Sequence, residues 1–204
     1  SFKARGASNA VLGLDAAARG RGIITASGGN HGLAVAYASY STGVPAVVYL
    51  PEFTPTEKTE KIRAWGADVV VEGDVWDDAN VAALARAELD GLTYIAPFSD
   101  PAVIAGQGTV GREMLQQSPN IDILVVAIGG GGLISGVATA AKAIKPAITV
   151  IGVEPVGAPT LKTSIEKGRL VTLPGVDTEA VTLAPRKSAE INLDIVCRIV
   201  DDII

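Results

Sequence analysis

Three short stretches of this 204-residue sequence carry residue types that could do chemistry. Gly129-Gly130-Gly131-Gly132 joins a Val/Ile run to an Ala-rich stretch. Four residues without Cβ let successive N–H groups converge at a helix start, where unpaired donors and the helix dipole favour a phosphate or carboxylate. Neither the dinucleotide pattern nor the phosphate-loop pattern fits, the latter for want of Gly-Lys-Ser/Thr, so the anion is not expected to be a nucleotide phosphate. Thr25-Ala26-Ser27-Gly28-Gly29-Asn30-His31-Gly32 is the second stretch. Ser27, Asn30 and His31 put a hydroxyl, an amide and an imidazole beside free N–H groups, a cradle for a carboxylate or for a ring with a polar oxygen. The third is Lys3, in Ser1-Phe2-Lys3-Ala4-Arg5-Gly6-Ala7. A lysine desolvated between Phe2 and an apolar helix has a lowered pKa, and its amine becomes a nucleophile for aldehydes and a base. Taken singly, each stretch also has a plain structural account: a tight turn, a helix cap at Ser27 or Asn30, a surface lysine near a chain end. No acidic partner stands near His31 to make it a general base.

These stretches need strands and helices to hold them, and the pattern supplies both. Val/Ile-rich runs alternate with amphipathic, Ala-rich segments, the signature of an α/β protein with mostly parallel strands. Helices are predicted over Ser8 to Ala18, Leu33 to Ser41, Thr56 to Trp65, Asp77 to Leu89, Val103 to Gln116, Ile134 to Ala143, Leu161 to Lys167 and Ile191 to Asp202. Strands are predicted over Gly22 to Thr25, Ala46 to Leu50, Asp68 to Glu72, Thr93 to Ala96, Ile123 to Ile128 and Thr149 to Val153. Pro97 to Ala102 reads as a boundary, and Leu170 to Lys187 as an irregular, Pro- and Thr-rich stretch. All three candidate stretches then lie where a helix begins or is about to begin.

Composition narrows the function. Hydrophobic residues make up 48% and charged ones 19%, which is globular and not disordered, and the low aromatic share with many small residues suits thin helices on a buried sheet. The apolar run Ile121 to Ile128, interrupted by Asp122, is far short of the roughly 18–20 residues a spanning helix needs, so no membrane partner is expected. A formal charge of −5 and the lack of a basic stripe remove the electrostatic reason to expect nucleic acid. One cysteine, Cys197, and one histidine, His31, exclude an internal disulfide and a Cys/His zinc site, and a reducing, cytoplasmic setting is expected. The chain opens on Ser1 and ends on Ile203-Ile204, where an apolar pair would be left on an unpaired strand edge. It reads as a fragment lacking both ends.

A lysine in S-F-K-x-R-G-A, then S-G-G-N-H-G, then G-G-G-G-L, in that order, resembles the fold-type II pyridoxal-phosphate enzymes, most closely the threonine/serine dehydratase and serine racemase group. The resemblance runs from Ser1 to about Lys167 and includes Ile104-Ala105-Gly106-Gln107-Gly108-Thr109 and Val153-Glu154-Pro155. It implies a two-domain, three-layer parallel-sheet fold like that of the tryptophan synthase β-subunit. A small domain would span 22–97 and carry the carboxylate loop; 1–21 and 98–204 would form part of a large cofactor-binding domain, and the small one would close on the substrate. It also implies that Lys3 holds pyridoxal 5'-phosphate as a Schiff base and is the catalytic base. Phe2 would pack beside the ring, Asn30 would bond the ring oxygen, and Gly129, Gly130, Gly131 and Gly132 with Leu133 would hold the phosphate. Ser27, Gly28, Asn30 and His31 would receive the substrate. The cofactor phosphate would protonate the departing β-hydroxyl. The expected reaction is β-elimination on L-threonine and L-serine, giving a 2-oxo acid and ammonia, in a homo-oligomer, dimer or tetramer.

Departures from the family pattern set the alternatives. Racemases of this group resemble S-S-G-N-H, whose second serine is a base on the opposite ring face; Gly28 stands there and cannot move a proton, which favours elimination. Racemisation of serine, 3-hydroxyaspartate dehydration, a β-replacement synthase and a non-catalytic domain are the other readings. A divalent or monovalent cation would use Glu154 and the Ala158 carbonyl, but Thr160 stands where a further acidic side chain is expected. Val181 to Lys187 replaces an Ala-Asp-Gly turn expected near the cofactor.

Overall fold

Val/Ile runs become parallel strands and Ala-rich stretches become helices in the computed structural model, which describes residues 1–204. They assort into two compact units, Ser1–Pro97 and Phe98–Ile204. In the first, β1 (Ile23–Ala26), β2 (Ala46–Leu50), β3 (Asp68–Val71) and β4 (Thr93–Tyr94) form a parallel sheet in the order β3-β2-β1-β4. Every residue of β1 and β2 is buried, as strands covered on both faces must be. α5 (Trp76–Asp90) lays Ala79, Ala83 and Ala87, spaced four apart, on Ile24, Ala26, Val47 and Tyr49. The pleat turns Val48 to the other face, where α3 (Asn30–Thr42) comes so close that a Cβ on Gly32 would stand 3.2 Å from Val48 Cγ1. α1 (Lys3–Leu12) packs on α3, and α4 (Thr56–Ala64) packs on α3 and β3.

Residues 1–21 lie in this first unit through that α1–α3 packing. The helix predicted over Ser8 to Ala18 is two helices. α1 starts five residues earlier and ends at Gly13, whose N–H bonds the Asn9 carbonyl; α2 (Ala16–Arg21) then begins afresh, its first turn capped by Asp15 Oδ1 at 2.7 Å from the Ala18 N–H. The strand predicted over Thr93 to Ala96 is only the two residues of β4, and the chain leaves it through Ile95. There the Ile95 carbonyl accepts two buried donors, Thr25 Oγ1 and His31 Nε2, both at 2.9 Å.

The second unit holds β5 (Ile123–Ala127), β6 (Thr149–Val153) and β7 (Asp202–Ile203), parallel in that order. Its helices are α6 (Pro101–Gln117), α7 (Gly132–Ile144), α8 (Thr160–Glu166) and α9 (Glu190–Ile199), with a single 3₁₀ turn at Val181–Leu183. Leu124 and Val126 of β5, Val150 of β6, Ile134 and Val137 of α7, Leu161 of α8 and Leu193 and Val196 of α9 share one core. β5 alternates: Ile123 and Val125 are exposed, so in this chain that strand is covered on one face. The last helix stops at Ile199, and the chain returns as β7. Ile203 is thereby buried and paired with Gly152, while β7 forms the sheet's edge and Ile204 beyond it is exposed.

α6 and α7 meet backbone to backbone. A Cβ on Gly136 would stand 2.2 Å from the Ile104 carbonyl oxygen and 2.7 Å from the Gly108 nitrogen, neither of which can swing aside. Gly136→Ala is therefore expected to destabilise the second unit by about 3 kcal/mol. Gly20→Ala, in a helix with nothing within 4 Å of the new Cβ, should instead stabilise by about 0.5–1 kcal/mol. Denaturant unfolding of both variants checks the contrast. A second outcome concerns His31. Burial first, and the Lys3 charge second, lower its pKa from 6.5 to about 4, with the Ile95 carbonyl opposing. Its folded form stays neutral while the unfolded chain takes a proton below 6.5. The ring's contribution is full above that value and is lost as the pH falls from 6.5 towards 4. His31→Gln keeps an N–H donor for Ile95 and should flatten the unfolding midpoint over that window; an unchanged slope would show that the ring is not buried neutral.

Candidate active site

Lys3 is the first residue of α1, and Phe2 before it offers no side-chain cap. The ammonium donates to the Pro97 carbonyl and lies 5.4 Å from the centre of the Phe2 ring. Burial lowers its pKa from 10.5 to about 8. No carboxylate pairs with it, so desolvation acts unopposed. At neutral pH about one such amine in ten is unprotonated, against roughly one in three thousand for a lysine in water.

The Ile95 to Pro97 segment that receives Lys3 is fixed from below. Thr25 ends its side chain on the Ile95 carbonyl, and His31 does the same from the first turn of α3. A carbonyl only accepts, so His31 Nε2 carries the proton and Nδ1 is left as a buried lone pair with no partner. The imidazole thus faces the floor of the loop and is buried. Asn30 begins α3 and is exposed, and Ser27 Oγ accepts the Gly29 N–H at 3.2 Å. A Cβ on Gly28 would stand 2.9 Å from both Cγ2 and Oγ1 of Thr54, and one on Gly32 would stand 2.0 Å from the Ser27 carbonyl. The β1–α3 turn is thus built on glycines that leave no room for side chains at 28 and 32. A nearby cleft of about 580 Å³ is lined by Ser1, Ala4, Asn30, Tyr37, Lys61 and Trp65, among others. Of the candidate residues it holds Asn30 alone.

Gly129 to Gly132 carry the second unit's chain from β5 into α7. Gly131, the residue before α7, has φ +92°, a left-handed conformation that glycine adopts without strain. The helix's first internal bond runs from the Ser135 N–H to the Gly131 carbonyl at 2.9 Å, so the N–H groups ahead of Ser135 have no intrahelical acceptor. A Cβ on Gly130 would fall within 2.3 Å of the Phe98 ring, and one on Gly132 within 2.9 Å of the Phe98 backbone. Gly129 lies against Thr182 and Leu183 of the irregular segment. Leu133 turns into the core. This is a cradle whose walls need bare glycine, with donors at a helix start, and it fits a phosphate. An amine whose pKa is lowered by burial fits an aldehyde. Each set of residues, taken by itself, fits one part of pyridoxal phosphate: the amine its aldehyde, the glycine loop its phosphate.

Sequence reasoning missed the side chains that brace this loop. Asn192 and Ser188 both donate to the Gly130 carbonyl, at 2.7 and 2.9 Å, and Phe98 roofs it. One signal was present: Asn192 sits with Leu193 and Val196 on the buried stripe of α9, where a polar residue has no place unless it has partners. Glu154 is held differently from a free ligand. Its two carboxylate oxygens accept the Leu161 and Lys162 N–H groups, each at 2.8 Å, and so cap α8. Burial raises its pKa, with those N–H groups opposing. The Ala158 carbonyl accepts the Thr160 N–H at 2.9 Å.

Known proteins are similar to this chain. The L-threonine ammonia-lyase of Thermotoga maritima is 41% identical over 204 residues, which is all of this chain and 51% of that protein. The chain thus spans about half the length of the curated relatives it matches. The processed form of threonine deaminase isoform 2 from Solanum lycopersicum superimposes with a TM-score of 0.97 at 42% identity, covering 100% of this chain and 60% of the other. Maize serine racemase does so at 0.95 and 38%, covering 100% and 62%. The model of the family described as pyridoxal-phosphate dependent enzyme matches residues 1–204, and the chain belongs to that family.

Proposed function

We propose that the protein of which this chain is part is a pyridoxal-phosphate-dependent ammonia-lyase that eliminates water from L-threonine and L-serine, releasing a 2-oxo acid and ammonia. The observation that carries this reading is the buried amine of Lys3, which has no carboxylate partner and whose pKa is lowered to about 8. The names of the similar proteins, threonine ammonia-lyase and threonine deaminase, support the choice of substrate. Phe2, Lys3 and Asn30 of the first unit and Gly129 to Leu133 of the second are the residues that would hold the cofactor. Pyridoxal phosphate, when bound, supplies an electron sink that makes the α-proton of an amino acid removable.

This chain's residues do the rest. Lys3 would hold the cofactor through its amine and would be the base that takes the α-proton of the substrate. The Pro97 carbonyl orients the amine, and the buried neutral ring of His31 holds the Ile95 to Pro97 segment behind it. Ser27 and the N–H groups at the start of α3 receive the substrate carboxylate. Gly28 has no group to hold a proton on the opposite face, so a proton removed by Lys3 is not returned there and elimination is favoured over racemisation. Glu154 and Ala158 serve α8, and no step is assigned to a cation. We place the reaction in the cytoplasm, in a homo-oligomer.

In the whole protein, pyridoxal phosphate should give a visible band whose formation rises with pH about a midpoint near 8, and L-threonine should then release 2-oxobutanoate. Lys3→Ala should lose both; retained turnover would sink the mechanism. A second test addresses Gly28. A serine there brings the missing hydroxyl, but its Cβ meets Thr54 at 2.9 Å. Gly28→Ser combined with Thr54→Ala should therefore form D-serine from L-serine faster than Gly28→Ser alone. Chiral chromatography of recovered serine measures it, and no D-serine from either variant would count against the one-base account.

A further inference from the structure

We propose that Asn192, assisted by Ser188, is a positioning residue that aims the Gly130–Gly131 peptide so that its N–H faces the cofactor phosphate. The inference rests on the reading of the glycine loop as the phosphate site. Asn192 is wholly buried, and all of its side-chain hydrogen-bonding groups are engaged. Nδ2 donates to the Gly130 carbonyl at 2.7 Å and to the Phe98 carbonyl at 3.0 Å, and Oδ1 accepts the Ser135 hydroxyl at 3.0 Å. Two carbonyls can only accept, so the amide has one possible orientation. Ser188 Oγ adds a second donor to Gly130 at 2.9 Å, which fills both lone pairs of that oxygen.

Geometry converts this clamp into an aim. The Gly130 carbonyl and the Gly131 N–H belong to one trans peptide, and there they point in opposite directions. Drawing the carbonyl inward onto Asn192 and Ser188 therefore turns the Gly131 N–H outward. Gly131, at φ +92°, then feeds the further free N–H groups of α7 in behind it. Without the clamp this peptide, flanked by glycines, could rotate and offer its carbonyl oxygen to the phosphate, which repels it. The Nδ2 bond to Phe98 fixes the loop's other wall, since Phe98 is what the Cβ atoms of Gly130 and Gly132 would strike.

A residue that aims the loop should matter to the phosphate and not to the pyridine ring, whereas one that merely fills the core should matter to both or to neither. The test is equilibrium binding of pyridoxal phosphate and of pyridoxal, which lacks the phosphate, to the cofactor-stripped whole protein and its variants. Asn192→Ala is expected to weaken pyridoxal phosphate by about tenfold or more while leaving pyridoxal within about twofold. Ser188→Ala, which leaves the amide in place, keeps the contrast measurable even where the Asn192 variant does not fold, with an expected loss of about threefold to tenfold for the phosphorylated compound. Equal losses for the two compounds, or no loss for either, would overturn the inference. Equal affinity of the unaltered protein for both compounds would instead overturn the phosphate-loop reading, and the inference with it.

Discussion

A primary amine is useful as a nucleophile near neutral pH only where water is kept from its charged form, and the first unit is arranged around that constraint. Lys3 reaches its environment because α1 packs along α3, and α3 starts where β1 ends. Burial is the cause of the lowered pKa, and no carboxylate is placed to undo it. A hydrogen bond to the Pro97 carbonyl orients the ammonium without neutralising it. His31 obeys the same constraint from the other side. A charged imidazole beneath the amine would repel it and be costly to bury, and both effects hold the ring neutral. The imidazole's use is mechanical: it ties the Ile95 carbonyl, and with it the segment that ends on Pro97.

The second unit faces the opposite problem in the proposed site, where donors would be presented to an anion instead of water being withheld from a cation. Helix starts do this by default, since their first N–H groups have no internal acceptor. Glycines allow the approach, but glycines also leave peptides free to turn. The structure answers with buried side chains that hold the carbonyls and leave the N–H groups alone. The same unit uses bare glycine for packing, where Gly108, Gly111 and Gly136 let α6 and α7 touch through their backbones. Close approach is thus a shared device with two ends, one a rigid helix pair and the other a cradle that the pair supports.

Much of this was legible in the residues because the signals were local. β2 and β6 were read to the residue, since Pro45 and Pro51 bracket the first and Glu154-Pro155 closes the second. The glycine runs and the polar turn after β1 were visible for the same reason. What escaped depends on distant partners or on silence. α1 begins at Lys3 with no capping side chain to announce it, and its end at Gly13 is hidden inside an unbroken Ala-rich pattern. β7 is two residues long and exists through pairing with β6, about fifty positions away, helped by Asp201, whose carboxylate accepts the Val150 N–H at 2.7 Å. His31 could be seen as polar beside the cradle, but its orientation is set by a carbonyl 64 residues away. The bond from Asn192 to Gly130 spans 62.

Gly28 joins these threads, because the chemistry proposed for it is also a matter of volume. On acid–base grounds alone, glycine there removes a proton carrier. In the structure the missing side chain is also demanded by Thr54, which occupies the space a Cβ would need. A threonine is β-branched and its rotamers are few, so the obstruction does not yield as the end of a lysine would. The two positions therefore behave as a matched pair: the turn can carry a side chain at 28 only when 54 gives way. On this account, position 28 is kept without a proton carrier by two residues, one by what it lacks and the other by the room it takes.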